Sequence, residues 1–378
     1  MKIALLRRKF DANGGGGAEK VAVNFAREFM QRGHSVTVFS EKFDSGQGAG
    51  PDWVKVPKGG IASLSGTAAF HKNVQKLLKE HKFDIVYTMC RTFPTDVFRV
   101  TEQLHAEWMP VGYSKLACLN PRHRSILRLE RLALSPLNTR HVVTNSELVK
   151  RQVAERFGYP EHRISVVRNG VDRQIFFPVE TPAEKEKLRQ NLELPAAKLI
   201  LLFAAGNFRI KGLESAMRAI AGLEAETRDR ALIVVLGGDD SRPWLKLAAD
   251  LDLADKVLFV GRQKNMRDYY AASDLLLYPS MYEPFANVCL EACACALPVL
   301  TTRLNGSSEL VEHGINGYLV DNAECVKEMT VGIEAFAALS ENARSEFSSA
   351  ARDAANDYSW ERHADDLENI FIKLMEHK

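Results

Sequence analysis

Asp274-Leu275-Leu276-Leu277-Tyr278-Pro279, running on through Ser280-Met281-Tyr282-Glu283-Pro284-Phe285-Ala286-Asn287-Val288-Cys289-Leu290-Glu291, decides how the chain is read. A short apolar run closed by a proline predicts a buried parallel strand. The small residues that follow predict a helix, which Pro298 ends. A strand therefore stops, a turn carries one carboxylate, and a helix starts. Glu291 lies eight residues beyond Glu283, about two turns up a helix beginning near Ala286. A helix start presents N–H groups and a partial positive charge, which suits phosphate. Ala286, Asn287 and Val288 are the expected donors, with Phe285 beside them. Glu291 sits too deep for that role and fits acceptance of hydrogen bonds from sugar hydroxyls, as carboxylates do for ribose in nucleotide folds. Spacing alone favours a plainer reading, a surface junction with two solvated glutamates.

Upstream, the same alternation of strand and helix begins at a predicted strand over residues 198–205. The loop after it, Gly206-Asn207-Phe208-Arg209-Ile210-Lys211-Gly212, leads into a helix over 213–223. Arg209 and Lys211 are cations at the carboxyl end of a strand, where a diphosphate could be neutralised. Solvated loop cations are the alternative. Further strands are predicted over 231–236, 257–260, 298–301 and 317–320, and the strand at 257–260 leads to Gly261-Arg262. Asp239 and Asp240 are adjacent, not in the D-x-D spacing that holds a divalent cation, so they read as a loop and no metal site is expected.

The first half repeats the pattern. Residues 3–6 form a predicted strand, Gly14-Gly15-Gly16-Gly17 a loop, and 18–31 a helix. Glycines let backbone approach a ligand with no Cβ in the way, and Gly15 and Gly16 are the candidates. The spacing does not match G-x-G-x-x-G, which weighs against a nicotinamide-dependent oxidoreductase. Strands follow over 35–39, 53–56, 84–89 and 97–101, the last leading to Glu102, then over 141–145 and 164–167. Arg168-Asn169-Gly170-Val171-Asp172 is a turn and opens a proline-containing linker. Alternating β and α throughout predicts an α/β protein of two doubly wound parallel-sheet domains. The first spans residues 1–172 together with a final helix over about 360–378, and the second spans 173–359.

Composition sets bounds on function. The chain of 378 residues carries a net charge of +2, which argues against nucleic acid as a partner. Six cysteines show no paired C-x2-C pattern and read as reduced thiols. The N-terminal apolar run is too short for a signal peptide, and no stretch approaches the roughly 20 apolar residues of a membrane span. A cytoplasmic protein is expected. Residues 121–134 are basic and amphipathic, with Arg122, Arg124, Arg128 and Arg131 among Ile126, Leu127, Leu129, Leu132 and Leu134. Such a segment can lie against an anionic membrane, bind acceptor phosphates, or be an ordinary helix with a solvated face.

The segment from Glu283-Pro284-Phe285 to Glu291-Ala292 resembles the E-x7-E motif of retaining GT-B glycosyltransferases of family GT4. Lys211-Gly212 and Asn169-Gly170-Val171-Asp172 are similar to further motifs of that family. Asp96-Val97-Phe98 and Ala106-Glu107 resemble the flanks seen in lipopolysaccharide-core glucosyltransferases. The resemblance implies two Rossmann-like domains facing across a cleft, with a last helix crossing back to the first. It implies transfer of a hexose from a nucleotide-diphosphate sugar, UDP-glucose in the nearest relatives, to a glycan or lipid-linked glycan acceptor. No cofactor and no metal are implied. By the same comparison, Arg209 and Lys211 would bind the diphosphate, Glu283 the sugar hydroxyls and Glu291 the ribose. Arg262 would lie by the nucleotide, and the Gly15-Gly16 loop would close over the diphosphate. Glu102 stands where relatives place an acidic residue near donor and acceptor; a solvated loop carboxylate fits equally. A nucleotide-sugar-binding protein without transfer activity is the competing function, as is an enzyme using a GDP- or ADP-sugar and another acceptor.

Overall fold

The computed structural model describes residues 1–13, 16–46, 50–59 and 66–376. The chain forms two compact units, one of residues 1–170 with 358–378 and one of residues 171–357.

The first unit carries β1 (Lys2–Leu6), β2 (Lys9–Asp11), β3 (Ser35–Ser40), β4 (Lys42–Asp44), β5 (Asp52–Lys55), β6 (Ile85–Thr88), β7 (Thr95–Val100), β8 (Thr139–Thr144) and β9 (Ile164–Val166). Seven of these make a parallel sheet in the order β5-β3-β1-β6-β7-β8-β9, and β2 and β4 pair separately. Chain order reverses between β1 and β6, and ligands of such sheets bind outside the carboxyl ends at that reversal. The apolar face of the Gly17–Gln31 helix explains why it packs on the sheet: Val21, Ala22, Phe25, Ala26 and Phe29 are all buried. The last helix, Trp360–Glu376, belongs to this unit. Phe371 meets Phe25, Phe29 and Tyr87, and Arg32 holds Asp365 and Glu368 at 2.6 and 2.9 Å. Gly170 lies against this helix so closely that a Cβ there would come within 2.5 Å of the Trp360 nitrogen.

The second unit carries β10 (Leu199–Ala204), β11 (Ala231–Leu236), β12 (Val257–Gly261), β13 (Leu275–Tyr278), β14 (Val299–Thr302) and β15 (Gly317–Val320). All neighbours are parallel, in the order β12-β11-β10-β13-β14-β15. This is the doubly wound order of a dinucleotide fold, and its reversal falls between β10 and β13. Every residue of β10, β11, β13 and β14 is buried, which is why these strands read as unbroken apolar runs. Helices cover both faces.

Asp274, just before β13, pins this sheet to the Pro182–Asn191 helix. Its carboxylate meets Lys185 at 2.8 Å and Arg189 at 2.7 Å, and it accepts the Ile200 N–H at 2.8 Å. All six cysteines are free. Burial pushes the Cys289 thiol far up and holds Cys293 and Cys295 up at about 12, so the three act as small packing residues. No helix among the described residues is long and apolar enough to cross a membrane.

Candidate active site

The reversal between β10 and β13 brings together the two loops singled out in the sequence. The loop leaving β10 holds Arg209 and Lys211, and the loop leaving β13 holds Glu283. Met281 N–H donates to the Ile210 carbonyl at 3.0 Å, tying one loop to the other. Gly212 makes the approach possible. Its φ is +83°, and a Cβ there would sit 2.1 Å from the Pro279 carbonyl oxygen. A side chain at 212 would therefore be strained and would push the loops apart. As arranged, Lys211 Nζ pairs with Glu283 Oε2. Both side chains are 17 % exposed, sheltered enough to strengthen charge interactions and open enough for a ligand to reach.

Glu283 is held by its backbone. Its N–H donates to Leu304 O at 3.0 Å, and its carbonyl accepts the Gly306 N–H at 2.8 Å. The segment after β14 thus forms a third wall, which the sequence reading missed. Asn305 and Ser307 are its working residues, and both are fully buried. Ala286 N–H donates to Ser307 Oγ at 2.6 Å and to Asn305 Oδ1 at 3.3 Å. The Ser307 hydroxyl donates back to the Ala286 carbonyl at 2.9 Å. Ala286 is the residue before the Asn287–Ala294 helix, and its amide is engaged within the protein. Asn287 and Val288 do open the helix. The available signal for Asn305 was an Asn-Gly turn after a strand; nothing in it identified the Ala286 contact.

Glu291 is buried on the same helix, with Phe285 also buried beside the turn. Tyr270 donates its hydroxyl to Glu291 Oε2 at 2.9 Å. Arg209 is exposed; its main chain closes the loop by accepting the Gly212 N–H at 3.2 Å. Phe208 N–H donates to Asp239 at 2.8 Å, so Asp239 braces this loop. Asp240 is bound to Arg242, which holds its carboxyl down at about 2. The adjacent aspartates thus have structural work. Arg262 is exposed and lies over Gly238, its Nε 2.8 Å from where a Cβ would stand.

In the first unit, Glu102 follows β7 with a side chain 57 % exposed, between Arg7 at 3.3 Å and Arg91 at 4.0 Å. Arg91 also binds Glu130 at 2.9 Å and the Gln103 carbonyl at 2.8 Å. Glu130 is buried and accepts the His105 and Ala106 N–H groups, both at 2.8 Å. It thereby caps a short helix, His105–Gly112, that the sequence did not reveal. Gly16 precedes the Gly17–Gln31 helix and gives its N–H to Glu19 at 3.0 Å, while Gly15 lies outside the described residues. The basic helix Pro121–Ala133 keeps Arg122, Arg124, Arg128 and Arg131 in solvent. Its apolar side is turned inward, with Leu129, Ala133 and Leu134 buried. Ile126, Leu127 and Leu132 are half-buried. Leu116 and Leu119, just before it, are 75 % and 68 % exposed.

Residues 15–175 match the family model described as Glycosyltransferase Family 4, and residues 184–354 match Glycosyl transferases group 1. The chain is 25 % identical over 299 residues to the lipopolysaccharide glucosyltransferase WaaG of Escherichia coli strain K12, covering 78 % of this chain and 79 % of that protein. The crystal structure of WaaG superposes with a TM-score of 0.82 at 23 % identity, over 98 % of this chain and 99 % of that one. A D-inositol 3-phosphate glycosyltransferase of Thermobispora bispora is 32 % identical over 252 residues, 62 % of this chain and 56 % of its own length. The structure of Anabaena Alr3699/HepE in complex with UDP-glucose has a TM-score of 0.73 at 20 % identity, covering 99 % of this chain and all of that one (100 %).

Proposed function

The chain belongs to the family 4 glycosyltransferases of GT-B fold, and from that premise we propose that it moves a hexose, with retention, from a nucleotide-diphosphate sugar to a cell-envelope glycan. UDP-glucose is the proposed donor and a lipopolysaccharide core the proposed acceptor, in keeping with the relative named as a lipopolysaccharide glucosyltransferase. One observation carries the reading: Lys211 and Glu283 meet at the strand reversal of the second unit.

The chemistry fits that pair. Breaking the bond between the anomeric carbon and the phosphate oxygen leaves a cation-like sugar and one more negative charge on the diphosphate. Lys211, sheltered in its loop, offsets that charge, with Arg209 adding its own from the exposed side of the same loop. Glu283 accepts hydrogen bonds from the sugar hydroxyls, and Glu291 from the ribose. Asn287 and Val288, at the helix start, lie toward the diphosphate, and Arg262 serves the nucleotide. The acceptor oxygen bonds to the anomeric carbon on the face the phosphate leaves, and its proton passes to the departing phosphate oxygen. No protein base and no metal enter this route. Glu102 is assigned to orienting the acceptor.

A screen of the full chain with UDP-, GDP- and ADP-sugars tests this. Thermal shift and slow hydrolysis are expected with UDP-glucose, unchanged by a chelator, and the transferred sugar should keep its anomeric configuration. An inverted product, or activity that a chelator removes and metal restores, overturns the mechanism. Tight binding of every donor without turnover would favour a binding protein.

We further propose that a lipid-linked acceptor would bring the protein to the cytoplasmic face of the inner membrane as a peripheral protein, through Arg122, Arg124 and Arg128 of the basic helix with the exposed Leu116 and Leu119 beside it. Each cation near an anionic surface is worth about 1 kcal/mol. Vesicles containing anionic lipid should retain the protein, and glutamine at those three arginines should release it. Equal retention by neutral vesicles would rule this contact out.

A further inference from the structure

We propose that the second unit carries a binding site for a phosphate group, free or borne on a small polyol, at the end of its sheet opposite the candidate active site. A cavity of about 280 Å³ lies there. It is lined by residues 179–182, by Lys185 of the Pro182–Asn191 helix, and by Arg344, Ser345 and Ser348 of the Glu341–Ala354 helix. Asp274 and Phe336 complete the wall. Ligand pockets run from roughly 300 to 1,000 Å³, so this one suits a phosphate with a few carbons, not a nucleotide sugar. Asp274 immediately precedes β13, and Glu283 follows that strand. The cavity is therefore at the amino end of β13, and the loops of Lys211 and Glu283 are at the carboxyl end. The two sites are separate, and this one stands without any donor assignment.

Arg344 is a cation that the fold leaves uncompensated. Its Nη2 donates to the Ala337 carbonyl at 2.7 Å, and the guanidinium lies over the Phe336 ring at 5.3 Å. Among the described residues no carboxylate pairs with it, and Nη1 has no protein acceptor. Lys185 is the second cation. Its Nζ meets Asp274 at 2.8 Å, and an ammonium has three donors to give. Asp274 is itself shared between Lys185 and Arg189, so one carboxylate stands against two cations. Glu180 is the other acid of the wall, and it is exposed; the balance stays positive. Hydroxyls supply the rest. Ser348 lies one turn beyond Arg344 and Ser345 on the same helix, and neither serine hydroxyl is bonded among the described residues. Thr181 Oγ1 accepts the Glu184 N–H at 3.2 Å and keeps its own proton to donate. A wall of donors with surplus positive charge calls for an anionic ligand made of acceptors. Phosphate oxygens meet that need, and bonds to guanidinium and ammonium are the strong, charge-assisted kind. The ring and the Ala337 carbonyl already hold Arg344, so little of its freedom is lost on binding.

The test titrates inorganic phosphate, glycerol 3-phosphate and glycerol into the full chain by calorimetry. Lys211→Ala is the background, because it removes a cation that could draw phosphate to the other end of the sheet. That variant should still bind phosphate or glycerol 3-phosphate, and glycerol should give no signal. Adding Arg344→Gln should weaken the phosphate ligand by about tenfold or more, the worth of a hydrogen bond to a charged group. Melting without ligand checks that this variant is folded. Ser345→Ala together with Ser348→Ala breaks no bond that the fold uses and should weaken binding by about fivefold, so the proposal stays testable if Arg344→Gln unfolds. Tighter binding of glycerol 3-phosphate than of phosphate would assign the site to phosphorylated polyols, and equal binding would assign it to free phosphate. Three results would overturn the proposal: no binding of either phosphate by Lys211→Ala, glycerol binding as tightly as its phosphate, or undiminished affinity in folded Arg344→Gln.

Discussion

Lys211→Ala is expected to lower turnover at saturating donor by about 100- to 1,000-fold, the usual effect of removing one group aimed at charge that develops in the transition state. The loss should fall on kcat more than on KM, because the diphosphate gains its extra charge only as the sugar leaves. The fold should hold. Lys211 and Glu283 stand on loops that are held by backbone bonds, Met281 N–H to Ile210 O, Glu283 N–H to Leu304 O and Gly306 N–H to Glu283 O, none of which the substitution removes. Glu283→Ala should also abolish transfer with the protein still folded. The double variant should be little worse than either single one, since the two residues act at one centre. Turnover within tenfold of wild type in Lys211→Ala, measured beside an unchanged melting temperature, would place the chemistry elsewhere.

Asp274→Ala is expected to have the largest effect on stability, about 3–5 kcal/mol, which for a unit of this size lowers the melting temperature by roughly 10 °C or more. The carboxylate binds Lys185, Arg189 and the Ile200 amide together, and its side chain is 13 % exposed. Removing it leaves two cations and an N–H without their partner at the start of β13. Burial acts to raise the carboxyl of Asp274, but Lys185 and Arg189 outweigh it and hold the group below its ordinary value. The sign follows. A carboxyl lowered by folding stabilises the protein fully above the unfolded value, about 4, and that contribution fades as pH falls through the lower folded value. Stability of wild type should therefore drop in acid below about pH 4, and Asp274→Asn should flatten that drop. An identical acid profile in the variant, by thermal or denaturant unfolding, would show that Asp274 does not titrate with the fold.

Much of this was open to the sequence because buried parallel strands carry an unmistakable pattern. Residues 275–278 are apolar at every position, as a strand covered on both faces must be, and the strand–turn–helix around Glu283 follows from that alone. Lys211-Gly212 was legible from its likeness to a family motif in a loop between an apolar strand and a helix, and Gly212 stands at the start of that helix. What stayed hidden depends on contacts between distant segments. The capture of Ala286 by Asn305 and Ser307 spans residues that no periodicity links. The His105–Gly112 helix contains Pro110 and looks broken in sequence; Glu130, far along the chain, caps it. The short pair β2 and β4 also escaped, since Lys-Phe-Asp has no alternation long enough to read. The basic helix was recognised as amphipathic, but the sequence could not say whether lipid or protein covered its apolar side.

The close approach of Gly170 to Trp360 means that the polypeptide departs from one unit and rejoins it at nearly the same spot. Residues 171–357 are in effect a cassette spliced into a host at a single seam. A cassette taken from a relative could be transplanted there while the host's own packing, Phe371 on Phe25 and Phe29 included, is left untouched.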